Sequence, residues 1–264
     1  MNDAGRALAG KVAVVTGGGS GLGRAMALAL GNAGADMAVL GRRQGPLDET
    51  AALISDCGVR ARPVSADLTE SSQVNEAFRG VELDLGPVDI LVNNAGLVRG
   101  QGGTPIWDVT DDDWRGGISG ILDPSFFCSR AVARSMTERG HGKIINVSSG
   151  LGLRGARDNY MYACAKGAVV QLTRSLAVSL GRHGVTANCI VPGYFPTEAT
   201  DDSAMSLPSA DFIPVARTGR AEDLGPLVVW LAGRSSDYMT GEVFIIDGGA
   251  LAGGYAPTGY TPES

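Results

Sequence analysis

The chain has 264 residues, 44% hydrophobic and 19% charged, with a formal net charge of −6. That length and balance fit one soluble domain with a large core, and the negative charge argues against nucleic acid or an anionic membrane as the main partner. No apolar run approaches the roughly 18 residues of a membrane span, and no charged-then-apolar leader opens the chain, so a cytoplasmic location is expected. The four scattered cysteines form no CxxC pair and read as buried free thiols. The two histidines, His141 and His183, lie in polar turns and read as surface residues, so no metal is expected.

In chain order, "KVAVVTG" (11–17) reads as a strand feeding the helical "GLGRAMALALGNAG". "ADMAVLG" is a second strand, followed by a helix from about Pro46 to Cys57. "RARPVSAD" leads into the helix "SSQVNEAFRGVEL", and "VDILVNNAG" is another buried strand. Next, "WRGGISGILDP" (114–124) sits between the N-cap formers "TDDD" and the helical period of "SFFCSRAVARSMTERG". Gly116, Gly117, Gly120 and Pro124 fall inside it. A mid-helix Gly costs about 1 kcal/mol and a Pro about 3, so an interrupted helix is predicted. "KIINVSS" (143–149), a long helix from about Asn159 to Arg182, the strand "VTANCIVPG", the helix "AEDLGPLVVWLAG" and the strand "EVFIIDGG" follow.

Near-continuous apolar strands alternating with helices predict a single α/β domain, a Rossmann-like doubly wound parallel sheet of about seven strands. Its core spans about 10–250. The segment 194–220 lacks a clear period and follows a strand's carboxyl end, where ligands of open sheets bind, so it is expected to be a substrate lid. The tail 251–264 either frays or packs on a neighbouring subunit.

Gly17, Gly21 and Gly23 punctuate the first strand-to-helix turn. Glycine there permits positive φ and close backbone approach to a pyrophosphate, and the helix N-terminus adds free N–H groups. In this context the turn is a candidate dinucleotide cradle, with Ser20 and Leu22 among its contacts. The second strand ends in Gly41, Arg42 and Arg43, with no carboxylate for a ribose 2′-OH and two guanidiniums for a 2′-phosphate. NADP(H) is therefore expected ahead of NAD(H). Further on, Tyr162 and Lys166 lie four residues apart on a helix and share a face, where an ammonium stabilises a phenolate and equips it for acid/base work.

TGxxxGxG at Thr16–Gly23, "DL" at Asp67 and Leu68, "NNAG" at 93–96, Ser149 thirteen residues before YxxxK, and Pro192, Gly193 and Thr197 together resemble the short-chain dehydrogenase/reductase family over about residues 10–250. The resemblance implies that Tyr162 gives or takes the proton at the substrate oxygen, with Ser149, or less favourably Ser148, hydrogen-bonded to it. Lys166 would bind the nicotinamide ribose and tune Tyr162. Asp67 and Leu68 would meet the adenine, Asn93, Asn94, Ala95 and Gly96 would line the inner edge of the cofactor, and Pro192, Gly193 and Thr197 would orient its carboxamide. Tyr160 falls on the wrong helical face and reads as a pocket-wall or surface residue. The resemblance also implies a homotetramer or homodimer built on the long helices.

One member of the usual catalytic set is missing. The family carries an Asn seven residues after a Trp, which here is Ile121, and no Asn occurs between 95 and 145. Either backbone chemistry at Gly120 and Pro124 supplies the same interruption and holds a relay water, or the relay is broken. The expected function is interconversion of a secondary alcohol and a ketone with NAD(P)(H). The alternative is a nucleotide-binding regulatory or assembly subunit that has lost turnover. "PGYFPTEAT" is similar to members acting on sugar acids and polyols, whereas Tyr194, Phe195, Met205, Leu207, Phe212 and Ile213 also allow an apolar ketone. Arg154 and Arg157 either meet an anionic substrate or are solvated surface charges.

Overall fold

Seven apolar runs become seven parallel strands: β1 (Val12–Thr16), β2 (Asp36–Gly41), β3 (Ala61–Ser65), β4 (Ile90–Asn93), β5 (Gly142–Val147), β6 (Val185–Pro192) and β7 (Val243–Ile246). Their order in the sheet is β3-β2-β1-β4-β5-β6-β7. This is a computed structural model, and it describes residues 6–96, 103–197 and 212–253. The long helices are α1 (Gly21–Asn32), α2 (Gln44–Ser55), α3 (Ser71–Leu85), α4 (Asp111–Arg139), α5 (Tyr160–Leu180) and α6 (Gly225–Ala232).

Strand residues alternate between two apolar layers, as the period of two requires. Ala13, Val15, Ile90 and Val92 pack with Met26, Leu30, Leu47, Ile54 and Val228 under α1, α2 and α6. Val12, Val14 and Leu91 pack with Val74, Phe78, Cys128, Val132 and Met136 under α3, α4 and α5. Strand order reverses between β1 and β4, both paired in parallel register. That switch point leaves a crevice at the carboxyl edge, where ligands of open sheets bind.

The predicted interruption does not divide α4, which is assigned as one helix of 29 residues with Pro124 inside it; proline has no N–H, so the Gly120 carbonyl there lacks its i+4 partner. Thr110 and Asp113 close a capping box, three aspartates occupy the first turn, and Gly140 ends the helix in the left-handed region at φ 68°. Gly117, Gly120 and Pro124 lie on the buried face with Ile121, Cys128, Val132 and Met136. Burial of that face outweighs the local propensity cost.

Two smaller expectations also change. Cys128 and Cys189 are buried, and burial pushes their thiols up to about 12 and about 11, but Cys164 is exposed. His141 is half-buried, with Nε2 3.2 Å from the Lys11 ammonium and 3.8 Å from Asp89. Among the described residues, no helix is long and apolar enough to cross a membrane.

Candidate active site

The glycine turn after β1 is packed too tightly for side chains. Gly17 has φ 66°, and a Cβ on it would lie 2.9 Å from Asn94 Nδ2. A Cβ on Gly23 would run into the Gly17 carbonyl and sit 2.7 Å from Asn94 Nδ2. Gly21 has φ 51°, and its Cβ position is 3.3 Å from the Thr197 methyl. The turn from β1 and the segment after β6 therefore close on one another at the N-terminus of α1. That arrangement fits a pyrophosphate, which needs bare backbone N–H groups within reach.

Thr16 holds the second wall. Its hydroxyl accepts the N–H groups of Asn94 (2.9 Å) and Ala95 (3.0 Å), and Asn94 Nδ2 donates back to the Thr16 carbonyl at 3.1 Å. Asn93 departs from its expected place at the cofactor edge. It is 2% exposed, and its Nδ2 donates to Asn146 Oδ1 (2.8 Å) and Ser129 Oγ (2.9 Å). Asn146 donates on to the Thr173 hydroxyl at 2.8 Å. This buried chain ties β4, β5, α4 and α5 together behind the site. Asn146, Thr173 and Ser129 had no sequence signal, whereas Thr16 stood within the glycine motif.

At the adenosine end, Arg42 and Arg43 are exposed immediately after β2, and Arg43 Nη2 donates to Ser20 Oγ at 3.3 Å. Asp67 accepts from the Thr69 hydroxyl (2.7 Å) and N–H (3.0 Å). These bonds, with Arg42 contributing less, hold its carboxyl below the usual range. The Leu68 side chain is core, 5% exposed beside α3 residues, which leaves only its backbone for the predicted contact. Pro192 ends β6, and Gly193 abuts Asp247 too closely for a Cβ.

Tyr162 and Lys166 lie in the first turns of α5, and Ser149 follows the end of β5. Lys166, 6% exposed, donates from Nζ to the Val147 carbonyl at 2.9 Å, and Nζ stands 5.8 Å from the Tyr162 ring centre. Ser148 is buried and commits its hydroxyl to the Lys166 carbonyl at 2.7 Å. Ser149 accepts the Leu151 N–H at 3.2 Å, which leaves its own O–H to donate elsewhere. Tyr160 hydrogen-bonds Asp158 at 3.1 Å, and partial burial followed by that bond raises its hydroxyl above the usual phenol value.

Ile121 faces this cluster. It is fully buried against Ala165, Val169 and Tyr162, and a Cβ on Gly96 would lie 3.5 Å from Ile121 Cγ1 and 3.8 Å from Lys166 Nζ. The wall beside the lysine is thus hydrocarbon. Substituting Ile121→Asn is expected to cost about 2–4 kcal/mol of stability in urea unfolding, from lost burial and an unpaired amide. A loss below about 1 kcal/mol would mean that the wall already offers the amide polar partners.

Both ends of the predicted lid are anchored. The Gly219 N–H donates to the Tyr194 carbonyl at 2.9 Å, and Gly219 lies against the Phe195 ring. Ile213 is buried beside Gly248. Met205 and Leu207 lie outside the described residues, as does the tail beyond 253.

A family model described as short chain dehydrogenase matches residues 11–206. The gluconate 5-dehydrogenase of Gluconobacter oxydans is 35% identical over 246 residues, covering 92% of this chain and 95% of that protein. The 5-keto-D-gluconate 5-reductase of Escherichia coli K12 is 34% identical over 255 residues, covering 95% and 99%. Among solved structures, a gluconate 5-dehydrogenase from Burkholderia cenocepacia in complex with NADP and tartrate superposes with a TM-score of 0.86 at 35% identity, covering 95% and 99%.

Proposed function

The chain belongs to the short-chain dehydrogenase family, the NAD(P)-dependent oxidoreductases of alcohols and ketones, and from that premise we propose that it reduces the keto group of a sugar acid, or oxidises the matching alcohol, with NADP(H). The observation that carries the reading is the Lys166 ammonium held 5.8 Å from the Tyr162 ring centre and against Gly96, at the carboxyl edge of the sheet. Relatives named as a gluconate 5-dehydrogenase, one with NADP bound, and as a 5-keto-D-gluconate 5-reductase support the substrate class and the cofactor. None of these names describes a regulatory subunit.

Gly17, Ser20, Gly21, Leu22 and Gly23 hold the pyrophosphate, and Arg42 and Arg43 take the 2′-phosphate. Asp67 and the Leu68 backbone meet the adenine. Asn94, Ala95 and Gly96 line the inner edge, with Pro192, Gly193 and Thr197 at the carboxamide. Bound there, the nicotinamide supplies or accepts the hydride. Tyr162 moves the proton at the substrate oxygen, and Ser149 donates a hydrogen bond to the same oxygen, so charge developing there is stabilised. Lys166 holds the ribose and stabilises the Tyr162 phenolate. The cradle residues therefore orient, and the three side chains carry the proton chemistry.

Of the apolar residues expected in the lid, Phe195 and Ile213 are packed into the fold and Phe212 is exposed. Exposed Trp114 and Phe126 on α4 and Val178 on α5 favour the homotetramer or homodimer.

Purified protein assayed with 5-keto-D-gluconate and with cyclohexanone, each with NADPH and NADH, tests the proposal. The expected result is NADPH-dependent turnover of the sugar acid, with NADPH favoured over NADH by about tenfold, as one charge-assisted phosphate contact supplies. Turnover of cyclohexanone alone would overturn the substrate class, and a preference for NADH would overturn the role of the arginines.

A further inference from the structure

Arg24 is absent from every binding motif, yet its side chain bridges the phosphate turn and α2. It sits on α1, one residue past Gly23, with its side chain 27% exposed. Its Nη2 donates to the Gly19 carbonyl at 2.6 Å and the Pro46 carbonyl at 3.3 Å, and pairs with Glu49 at 3.0 Å. Its Nε donates to the Thr50 hydroxyl at 2.9 Å, and that hydroxyl donates to the Pro46 carbonyl at 2.9 Å.

The guanidinium thus joins the outer limb of the glycine turn to the first two turns of α2. The contact is close. A Cβ on Gly19 would lie 3.2 Å from Pro46 Cβ and 3.3 Å from the Leu47 nitrogen. The residues entering α2 are Arg42 and Arg43, and Arg43 reaches back to Ser20, the neighbour of Gly19. The spacing between the turn and α2 is therefore the spacing between the cradle and the two exposed guanidiniums.

We infer that Arg24 is a positioning residue for cofactor selectivity: by clamping Gly19 to Pro46 and Thr50, it sets Arg42 and Arg43 at the distance from the cradle that a 2′-phosphate requires. Its own guanidinium is engaged with protein acceptors, so it acts through the other two. A planar fork with several donors in fixed directions suits this task, and a lysine reproduces only one or two of the bonds. The inner limb, at Gly17, Gly21 and Gly23, is held separately by Asn94 and Thr197. Loss of the clamp should spare the pyrophosphate. The inference rests on the proposal that Arg42 and Arg43 bind the 2′-phosphate.

The test is calorimetric titration of NADPH and NADH into wild type, Arg24→Met, Arg24→Lys, Thr50→Val and the Arg42→Ala/Arg43→Ala double variant, with a thermal midpoint for each. Arg24→Met should weaken NADPH about tenfold and NADH less than about twofold, with Arg24→Lys between it and wild type. Added to the double variant, Arg24→Met should leave the NADPH/NADH ratio unchanged, because the groups it positions are gone. If Arg24→Met does not fold, Thr50→Val removes one arm of the clamp and should shift the same ratio in the same direction. Equal weakening of both cofactors, or an unchanged ratio, overturns the inference while the arginine reading stands. A wild type with no NADPH preference, unaltered by the double variant, overturns both.

Discussion

Replacing Tyr162 with Phe should lower kcat by about a hundred- to ten-thousand-fold, the usual range for removing a positioned acid/base, while the Kd for NADPH changes little. Only the hydroxyl is removed, and the ring keeps its packing against Ile121 and Ala165 and its place over the Lys166 ammonium. The neighbouring phenol, Tyr160, is engaged with Asp158. Steady-state turnover beside a binding titration separates the two quantities. Turnover within about fivefold of wild type would remove Tyr162 from the chemistry.

Gly23→Ala should weaken NADPH by about a hundredfold or more, since two or more backbone contacts of about 1.4 kcal/mol each are disturbed. The added methyl meets the Gly17 carbonyl, which is backbone and itself fixed by the Gly17 N–H bond to the Leu40 carbonyl at 2.7 Å. Neither side can yield without moving the N-terminus of α1 away from the turn. A titration at constant pH measures the loss, and near-UV circular dichroism checks that the rest of the fold is kept. Gly116→Ala is the control: its Cβ meets nothing within 4 Å, so binding should be unaffected.

The strands and most helices were legible because burial on both faces writes itself as unbroken apolar runs, as in "VAVVT" and "DILVN". The glycine turn, the two arginines after β2 and the Ser–Tyr–Lys spacing were legible because each is a local pattern of residue types. Asn93 was misplaced because the asparagines of "NNAG" look alike in sequence. One faces Thr16 at the cleft and the other a buried polar chain behind it. Arg24 was passed over because an arginine on a helix has no signature until the loop carbonyls opposite it are known.

The order of elements, the parallel doubly wound sheet and the residue types at its carboxyl edge were determined by the sequence alone, since each depends on periodicity and on conformations reserved to glycine. The continuity of α4, the hydrocarbon wall at Ile121, the choice between Ser148 and Ser149 as the hydroxyl left to donate, and the clamp at Arg24 were decided only by the tertiary structure. The physical reason is common to all four. Local propensities of about 1–3 kcal/mol and the several bonding options of a polar side chain are settled by which distant segment is buried against them. That segment is α5 for Ile121 and Ser148, and α2 for Arg24.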